Sequence, residues 1–378
     1  MDCFAFPQYA LEDIANDREN DQATKDAASL TMRIGDELSA IEGLSCTTSA
    51  VFFILIHAAD ISFESRAPDP TNLNIKIYNA QNSKSLPGHF EFESQFYGGQ
   101  VPQGVTFHRL RNVYDFYKNV YDFDVIRSLG GDLKATVHYR QSYGNAVWKG
   151  RHKLLVLGDG DSILTSDFAR SLDVIAHEVT HGVIQATSNL RYQDQSGALN
   201  EHLADVFALL CVNYTRNRNV ADLTRHCWHI GLGVVIERET SGITRVPPTS
   251  PSLGQGYTLG SKESKRCPGF LRSFENPKSA GFAQPWHMSE LKPLAKDHGG
   301  VHIYSGIPNH AFYRAAMSDG RPPWEGVGKI WFDVMTDLRL GADCTFKQFA
   351  SKTIERAARS NSALERSITE AWKAVGVI

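Results

Sequence analysis

"HEVTHGVIQATSNLRYQDQSGALNEHLAD" runs from His177 to Asp205, and how it is read decides the fold. His177 and His181 stand at i and i+4 about a glutamate, so on a helix their imidazoles lie on one face and converge on one point. The surrounding SLDVIAHEVTHGVIQAT is apolar at Leu172, Val174, Ile175, Val179, Val183 and Ile184, which predicts a largely buried helix. Buried imidazoles need partners. Backbone carbonyls would satisfy two core histidines, and so would a metal ion. H-E-x-x-H alone is a weak signal, so its surroundings must decide between them.

Twenty residues beyond His181 stands Glu201, on a second helical pattern with Leu199, Leu203, Val206 and Leu210 inward. Glu201 and Asp205 are again i and i+4. Two carboxylates beside two histidines on a buried face are costly unless a cation or protons neutralise them. Zinc fits, because His177, His181 and Glu201 supply three borderline ligands and leave a fourth position open, as a catalytic site requires. Asp205 is then expected behind the ligands, accepting the free ring N–H of His177 and fixing its tautomer. Glu178, about 100° round the helix from the ligand face, is placed to act on water as general base. His202, on a different face, is expected at the surface.

Working outward, the 378 residues carry a formal charge of -3, which gives no electrostatic reason to expect nucleic acid or an anionic membrane as partner. Peptide or protein substrates and a monomeric chain are the expectation. The six cysteines have no C-x-x-C spacing, so neither a zinc ribbon nor a dense disulfide framework is suggested. MDCFAFPQYALEDIANDREN lacks the basic start and apolar core of a conventional signal peptide. AVFFILI (50–56) is too short to span a membrane and reads as a buried strand.

The organisation is in four parts. Residues 1–48 hold a proline-stiffened aromatic start, a polar stretch and a helix with Leu30, Ile34, Leu38 and Ile41 on one face. Residues 49–74 read as a linker or insertion, residues 75–192 as a strand-rich lobe ending in the H-E-x-x-H helix, and residues 193–378 as a mostly helical lobe. Segregation of strands from helices predicts an α+β fold in two lobes. Residues 237–265, rich in Ser, Gly, Thr and Pro, read as a long surface loop.

Further motifs surround the opening stretch: TVHYRQSYGNAVWKG (136–150), GDGD (158–161), LRSFENP (271–277) and DHGGVHIYSGIPNHAFY (297–313). Together they resemble the thermolysin-like zinc metallopeptidases, gluzincins, from about Ile75 to Ile378. The resemblance implies a two-lobed peptidase with the zinc cleft between the lobes. IYNAQNSKSLPG (77–88) and FAFPQYALEDIA (4–15) are more specifically similar to protealysin-type members, which implies that residues 1–48 are a short helical proregion covering the cleft and cut off before about Pro70.

The resemblance also implies roles for particular residues. His302 and Tyr192 would stabilise the oxyanion, with Asp297 holding the ring of His302. Asn145 and Ala146 would pair with an extended peptide by strand addition, Arg272 would grip a substrate carbonyl, and Phe168, Val174 and Leu271 would line the pocket for the residue after the scissile bond. The implied function is a zinc endopeptidase cutting before bulky hydrophobic residues. The other reading is a catalytically silent zinc-containing relative that only binds peptides. Where many members carry an acidic, calcium-binding cluster, this chain reads VNYTRNRNVADLTRHCWH (212–229), so calcium is doubtful although Asp173 and Asp205 are kept. Relatives act outside the cell, which gives secretion by an unconventional route as the expected localisation and a cytoplasmic precursor as its rival.

Overall fold

A computed structural model of the chain describes residues 2–4, 8–17, 20–44, 73–92, 101–217, 227–235, 270–279 and 283–378. The expected strand 50–56 and the expected loop 237–265 lie outside the described residues. Six short strands, β1 (Asp2–Phe4), β2 (Ile75–Asn79), β3 (His89–Phe92), β4 (Leu133–Val137), β5 (Ala146–Lys149) and β6 (Leu154–Leu157), form one mixed sheet in the order β1-β5-β6-β4-β2-β3. The β2/β4 and β4/β6 pairs are parallel, and the first needs a crossover, which α3 (Pro102–Tyr121) supplies. A second sheet is a two-residue pairing of β7 (His229–Ile230) with β8 (Arg272–Ser273).

β1 adds to the outer edge of β5, with Asp2 opposite Lys149, Cys3 opposite Trp148 and Phe4 opposite Val147. Side-chain alternation along β5 then separates two packing faces. Ala146 and Trp148 join the main core with α3 and α5 (Leu172–Ala186). Val147 points to the opposite face, where it meets Ile34 and Leu38 of α2 (Gln22–Leu44) together with Tyr139, Tyr143, Leu154 and Val156. The Lys149 ammonium donates to the Leu38 carbonyl at 2.8 Å. The N-terminal helical pattern therefore divides into α1 (Gln8–Asn16) and α2, with Ile34 and Leu38 inward as expected.

The remaining longer elements among the described residues are helices: α4 (Val125–Ser128), α6 (Asp194–Asn217), α7 (Asp297–Tyr304), α8 (Gly306–Asp319), α9 (Val327–Met335), α10 (Phe346–Ala358) and α11 (Ser362–Ala374). Sequence-local caps start the last two. Thr345 and Gln348 form a reciprocal capping box, and the Asn361 carboxamide accepts from Ala363 and Leu364. The main core runs without a break from the inner sheet face through α3, α5 and α6 to α8–α11. None of the described helices is long and apolar enough to cross a membrane.

α6 is buried all round from Ser196 to Asn213, and this overturns the surface reading of His202. The ring of His202 is fully enclosed, bonded to Asn309 and Trp331. A helix in the middle of a domain has no solvent face for its polar residues, so each must find a partner inside.

Candidate metal centre and catalytic cleft

α5 lies tightly against the sheet because Gly182 faces Trp148: a Cβ on Gly182 would sit 2.5 Å from Trp148 Cζ2. The helix is buried from Leu172 to Ile184. At its centre the Nε2 atoms of His177 and His181 approach to 3.0 Å, with their rings nearly perpendicular at 88°. α6 brings Glu201 to the same point, Oε2 lying 3.4 Å from His177 Nε2 and Oε1 3.4 Å from His181 Nε2.

The tautomers follow from what stands behind each ring. Asn200 donates its Nδ2 to the Leu190 carbonyl, so its Oδ1 faces His181 Nδ1 at 2.8 Å and accepts the proton there. Asp205 Oδ1 stands 3.0 Å from His177 Nδ1 as an ion-pair neighbour, off the line of a hydrogen bond. The two Nε2 atoms meet each other and the Glu201 carboxylate at one point, where a cation in place of a shared proton would find two imidazole nitrogens and a carboxylate. Glu201 Oε2 has no hydrogen bond in this fully buried setting. Such a donor set is unfavourable alone and fits one dication, with each imidazole oriented from behind as metal-bound histidines are. His177, His181 and Glu201 are the group brought together as potential ligands among the described residues, in agreement with the sequence reading.

Protonation equilibria of the protein groups express the same crowding. Burial alone would lower His177, but Asp205 and Glu201 outweigh it and hold the ring up at about 9, while burial dominates at His181 and lowers it to about 4. Burial works against ionisation of Glu201 too, yet His302, His181 and His177 together hold its carboxyl well below the usual range. Glu178 is fully enclosed, and burial raises it to about 8, against the pull of His177 and of a Trp148 backbone hydrogen bond. A carboxylate with that proton affinity, one residue from a ligand, suits a general base.

Across the site the Tyr192 hydroxyl reaches Glu201 Oε1 at 2.5 Å and His302 Nε2 at 3.1 Å. Asp297 grips His302 twice, accepting from the backbone N–H at 2.9 Å and from ring Nδ1 at 2.6 Å. This grip depends on a left-handed turn at the start of α7, where Asp297, His298, Gly299 and Gly300 have φ of 56°, 48°, 87° and 86°. The two glycines carry it freely, whereas Asp297 and His298 hold a conformation that side chains disfavour. Burial lowers the proton affinity of His302, but Glu201 and Asp297 more than restore it, and the ring is raised above an ordinary histidine. Tyr192 and His302 thus place a hydroxyl and a ring nitrogen on the side of the site opposite the two ligand histidines' helix.

The expected substrate contacts divide. Asn145 and Ala146 lie at the start of β5, and Asn145 Oδ1 accepts from the Ala146 N–H at 2.9 Å; further along, the outer edge of β5 carries residues 2–4. Arg272 is buried and holds Asp205 Oδ1 through Nη2 at 2.8 Å and Nε at 3.0 Å. Leu271 packs with Ala10 and Leu11 of α1, while Phe168 and Val174 belong to the main core. Sequence reading missed Asn200 and Gln284. Asn200 carried a usable signal, a carboxamide beside a ligand on a buried helix. Gln284 carried none: its Nε2 donates to the His302 carbonyl at 2.6 Å and to Ser305 Oγ at 3.0 Å, a partnership visible only in three dimensions.

With this geometry in view, comparison with known proteins agrees. Residues 56–185 match the thermolysin metallopeptidase catalytic domain, and residues 188–255 and 248–377 match the α-helical domain of the same family. Protease PrtS of Photorhabdus sp. (strain Az29) is 36% identical over 309 residues, covering 81% of this chain and 76% of that protein. The extracellular metalloprotease of Pectobacterium carotovorum subsp. carotovorum is 35% identical over 313 residues, covering 80% of this chain and 81% of that one. The solved precursor of protealysin, a metalloproteinase from Serratia proteamaculans, superposes with a TM-score of 0.75 at 28% identity over 100% of both chains.

Proposed function

The chain belongs to the thermolysin metallopeptidase family and is a zinc-dependent endopeptidase with an N-terminal proregion, and on that premise we propose how its residues divide the work. His177, His181 and Glu201 hold the zinc. Bound there, the metal supplies Lewis acidity toward water and the peptide carbonyl. Glu178 takes a proton from the attacking water as its oxygen bonds to the carbonyl carbon, then delivers that proton to the amine nitrogen as the C–N bond breaks. His302 and Tyr192 donate to the carbonyl oxygen as negative charge develops on it. Asp297 keeps His302 oriented, holding its ring through Nδ1.

The observation that carries this division is a fully buried Glu178, its proton affinity raised by burial, beside the point where His177, His181 and Glu201 converge. Glu178→Gln keeps shape and removes the base. The variant should retain one zinc per chain while cleavage of casein falls by at least ~10², and substantial cleavage by the zinc-loaded variant would sink the mechanism.

Three finer readings go with it. Specificity is for bulky apolar residues after the cut, through Phe168, Val174 and Leu271, since burying such a side chain contributes ~1.5–3 kcal/mol. The proregion closes the cleft: β1 lies along the β5 edge that a peptide would use, and α1 packs on Leu271 and Ile303, neighbours of Arg272 and His302. Calcium is dispensable at the retained aspartates. Asp173 already accepts from the Gly231 N–H at 2.7 Å and from the Ser171 hydroxyl, and Asp205 from Arg272 and Asn309. Removing calcium alone should therefore change thermal stability little. The action is extracellular after unconventional release, a reading supported by the name of the Pectobacterium relative.

A further inference from the structure

His202 is a fully buried ring one residue from a zinc ligand, and catalysis as described above does not use it. Its two nitrogens are both engaged. Trp331 Nε1 on α9 reaches His202 Nε2 at 2.7 Å, and His202 Nδ1 reaches Asn309 Oδ1 on α8 at 2.7 Å. Asn309 Nδ2 reaches Asp205 Oδ2 at 2.9 Å, and Asp205 Oδ1 lies 3.0 Å from His177 Nδ1.

The chemistry of the first member fixes the sense of every link. An indole N–H can only donate, so His202 Nε2 must be the bare, accepting nitrogen and the proton of the neutral ring sits on Nδ1. That proton requires an acceptor in Asn309, which turns the Asn309 oxygen toward His202 and its amide N–H toward Asp205. The Asp205 carboxylate accepts on one oxygen from Asn309; its other oxygen, held by Arg272, stands 3.0 Å from His177 Nδ1, an ion-pair contact and not an aligned hydrogen bond. The three aligned links from Trp331 to Asp205 polarise one another, and they reach the ligand ring by fixing where that carboxylate stands.

We propose that His202 is a positioning residue for the zinc site, transmitting the orientation set by the Trp331 indole through Asn309 and Asp205 to the ring of His177. The relay crosses four helices, from α9 through α6 and α8 to α5, and so holds the ligand ring to the centre of the helical core. It rests on the reading that His177 binds the zinc. His202 then affects how well the metal is held, independently of Glu178 and of the oxyanion donors.

The test uses the full chain carrying Glu178→Gln to prevent self-cleavage, with zinc affinity measured by chelator competition and ligand geometry read from the absorption spectrum of the cobalt-substituted protein. His202→Leu should weaken zinc binding about 10-fold, the lower end of the effect of removing groups behind a ligand, and should shift the cobalt bands. His202→Gln can accept from Trp331 and donate to Asn309 through one amide, and should recover most of the affinity. Trp331→Phe keeps an aromatic ring and breaks only the first link; it should weaken zinc by a few-fold, which keeps the idea testable where His202→Leu folds poorly. Unchanged zinc affinity and cobalt spectra across the three variants, with equal falls in melting temperature with and without metal, would make His202 a packing residue and overturn the proposal. A His177→Ala control that still binds one zinc would instead overturn the ligand assignment itself, whatever His202 does.

Discussion

The two faces of β5 are built from alternate residues of one four-residue strand, yet they serve different partners. Ala146 and Trp148 face the zinc helix, where Trp148 closes on Gly182. Val147 faces the proregion helix α2 across an apolar layer, and Lys149 bonds the Leu38 carbonyl there. The first partner is permanent. The second belongs to the segment proposed to be cut away, and the strand period of two is what lets one strand support the catalytic helix and its cover without mixing them. A change on one face should therefore appear in both the intact and the processed enzyme, and a change on the other in the intact form alone.

The largest effect expected is from Trp148→Ala. Removing so large a buried ring costs about 3–5 kcal/mol, and denaturant unfolding should show the loss equally in the intact chain and in the chain freed of its proregion. A loss confined to the intact chain would break the division of faces. Leu38→Ala removes a fully buried side chain on the other side, at a cost of about 2–5 kcal/mol. Here the loss should appear only before processing, and the intact variant should bind a zinc-directed peptide inhibitor more readily than the unaltered intact chain. Equal inhibitor binding by the two would remove α2 from the closing of the cleft.

The same comparison shows what the sequence could reveal. The zinc site was legible because helix spacing within Leu172–Asp205 places His177, His181 and Glu201 with little dependence on the rest of the chain. The helix that buries Ile34 and Leu38 and the central strands were legible for the same local reason, whereas the short helix Gln8–Asn16 before them was not foreseen. His202 was misread because a residue's face was judged against a helix with a solvent side, and α6 has none between Ser196 and Asn213. The pairing of β1 with β5 joins residues more than a hundred positions apart, and nothing local announces it. Nor does anything local announce that Leu271 packs with Ala10 and Leu11 of the proregion.

A smaller effect sharpens the outer face. Arg140 on the sheet side pairs with Glu37 of α2, and Glu37 is more than half exposed at 59%. Exposed pairs contribute at most about 1 kcal/mol and are screened by salt. Glu37→Gln should slightly ease dissociation of the cut proregion at low salt and change nothing at high salt, measured by the concentration of proregion peptide that inhibits the processed enzyme. Equal inhibition constants at low salt would leave the hold to the apolar layer, the Lys149 bond and the β1 pairing.

The smallest effect concerns pH and belongs to neither face of β5. His138, just beyond the end of β4, bonds Asp159 at 2.8 Å, and that hydrogen bond raises its proton affinity above an ordinary histidine, with burial opposing. A folded pKa above the unfolded value of about 6.5 means that the stabilisation is complete below pH 6.5 and fades as pH rises through the folded pKa. The pair is partly exposed, so its contribution stays below about 1 kcal/mol. Both partners lie in the catalytic lobe, and the fading should therefore be the same in intact and processed enzyme. His138→Gln should flatten the fall of stability as pH rises above about 6.5 in both forms. A slope that survives in His138→Gln, or that vanishes once the proregion is gone, would assign this pH dependence to groups beneath α2 and tie the outer face of the sheet to protonation after all.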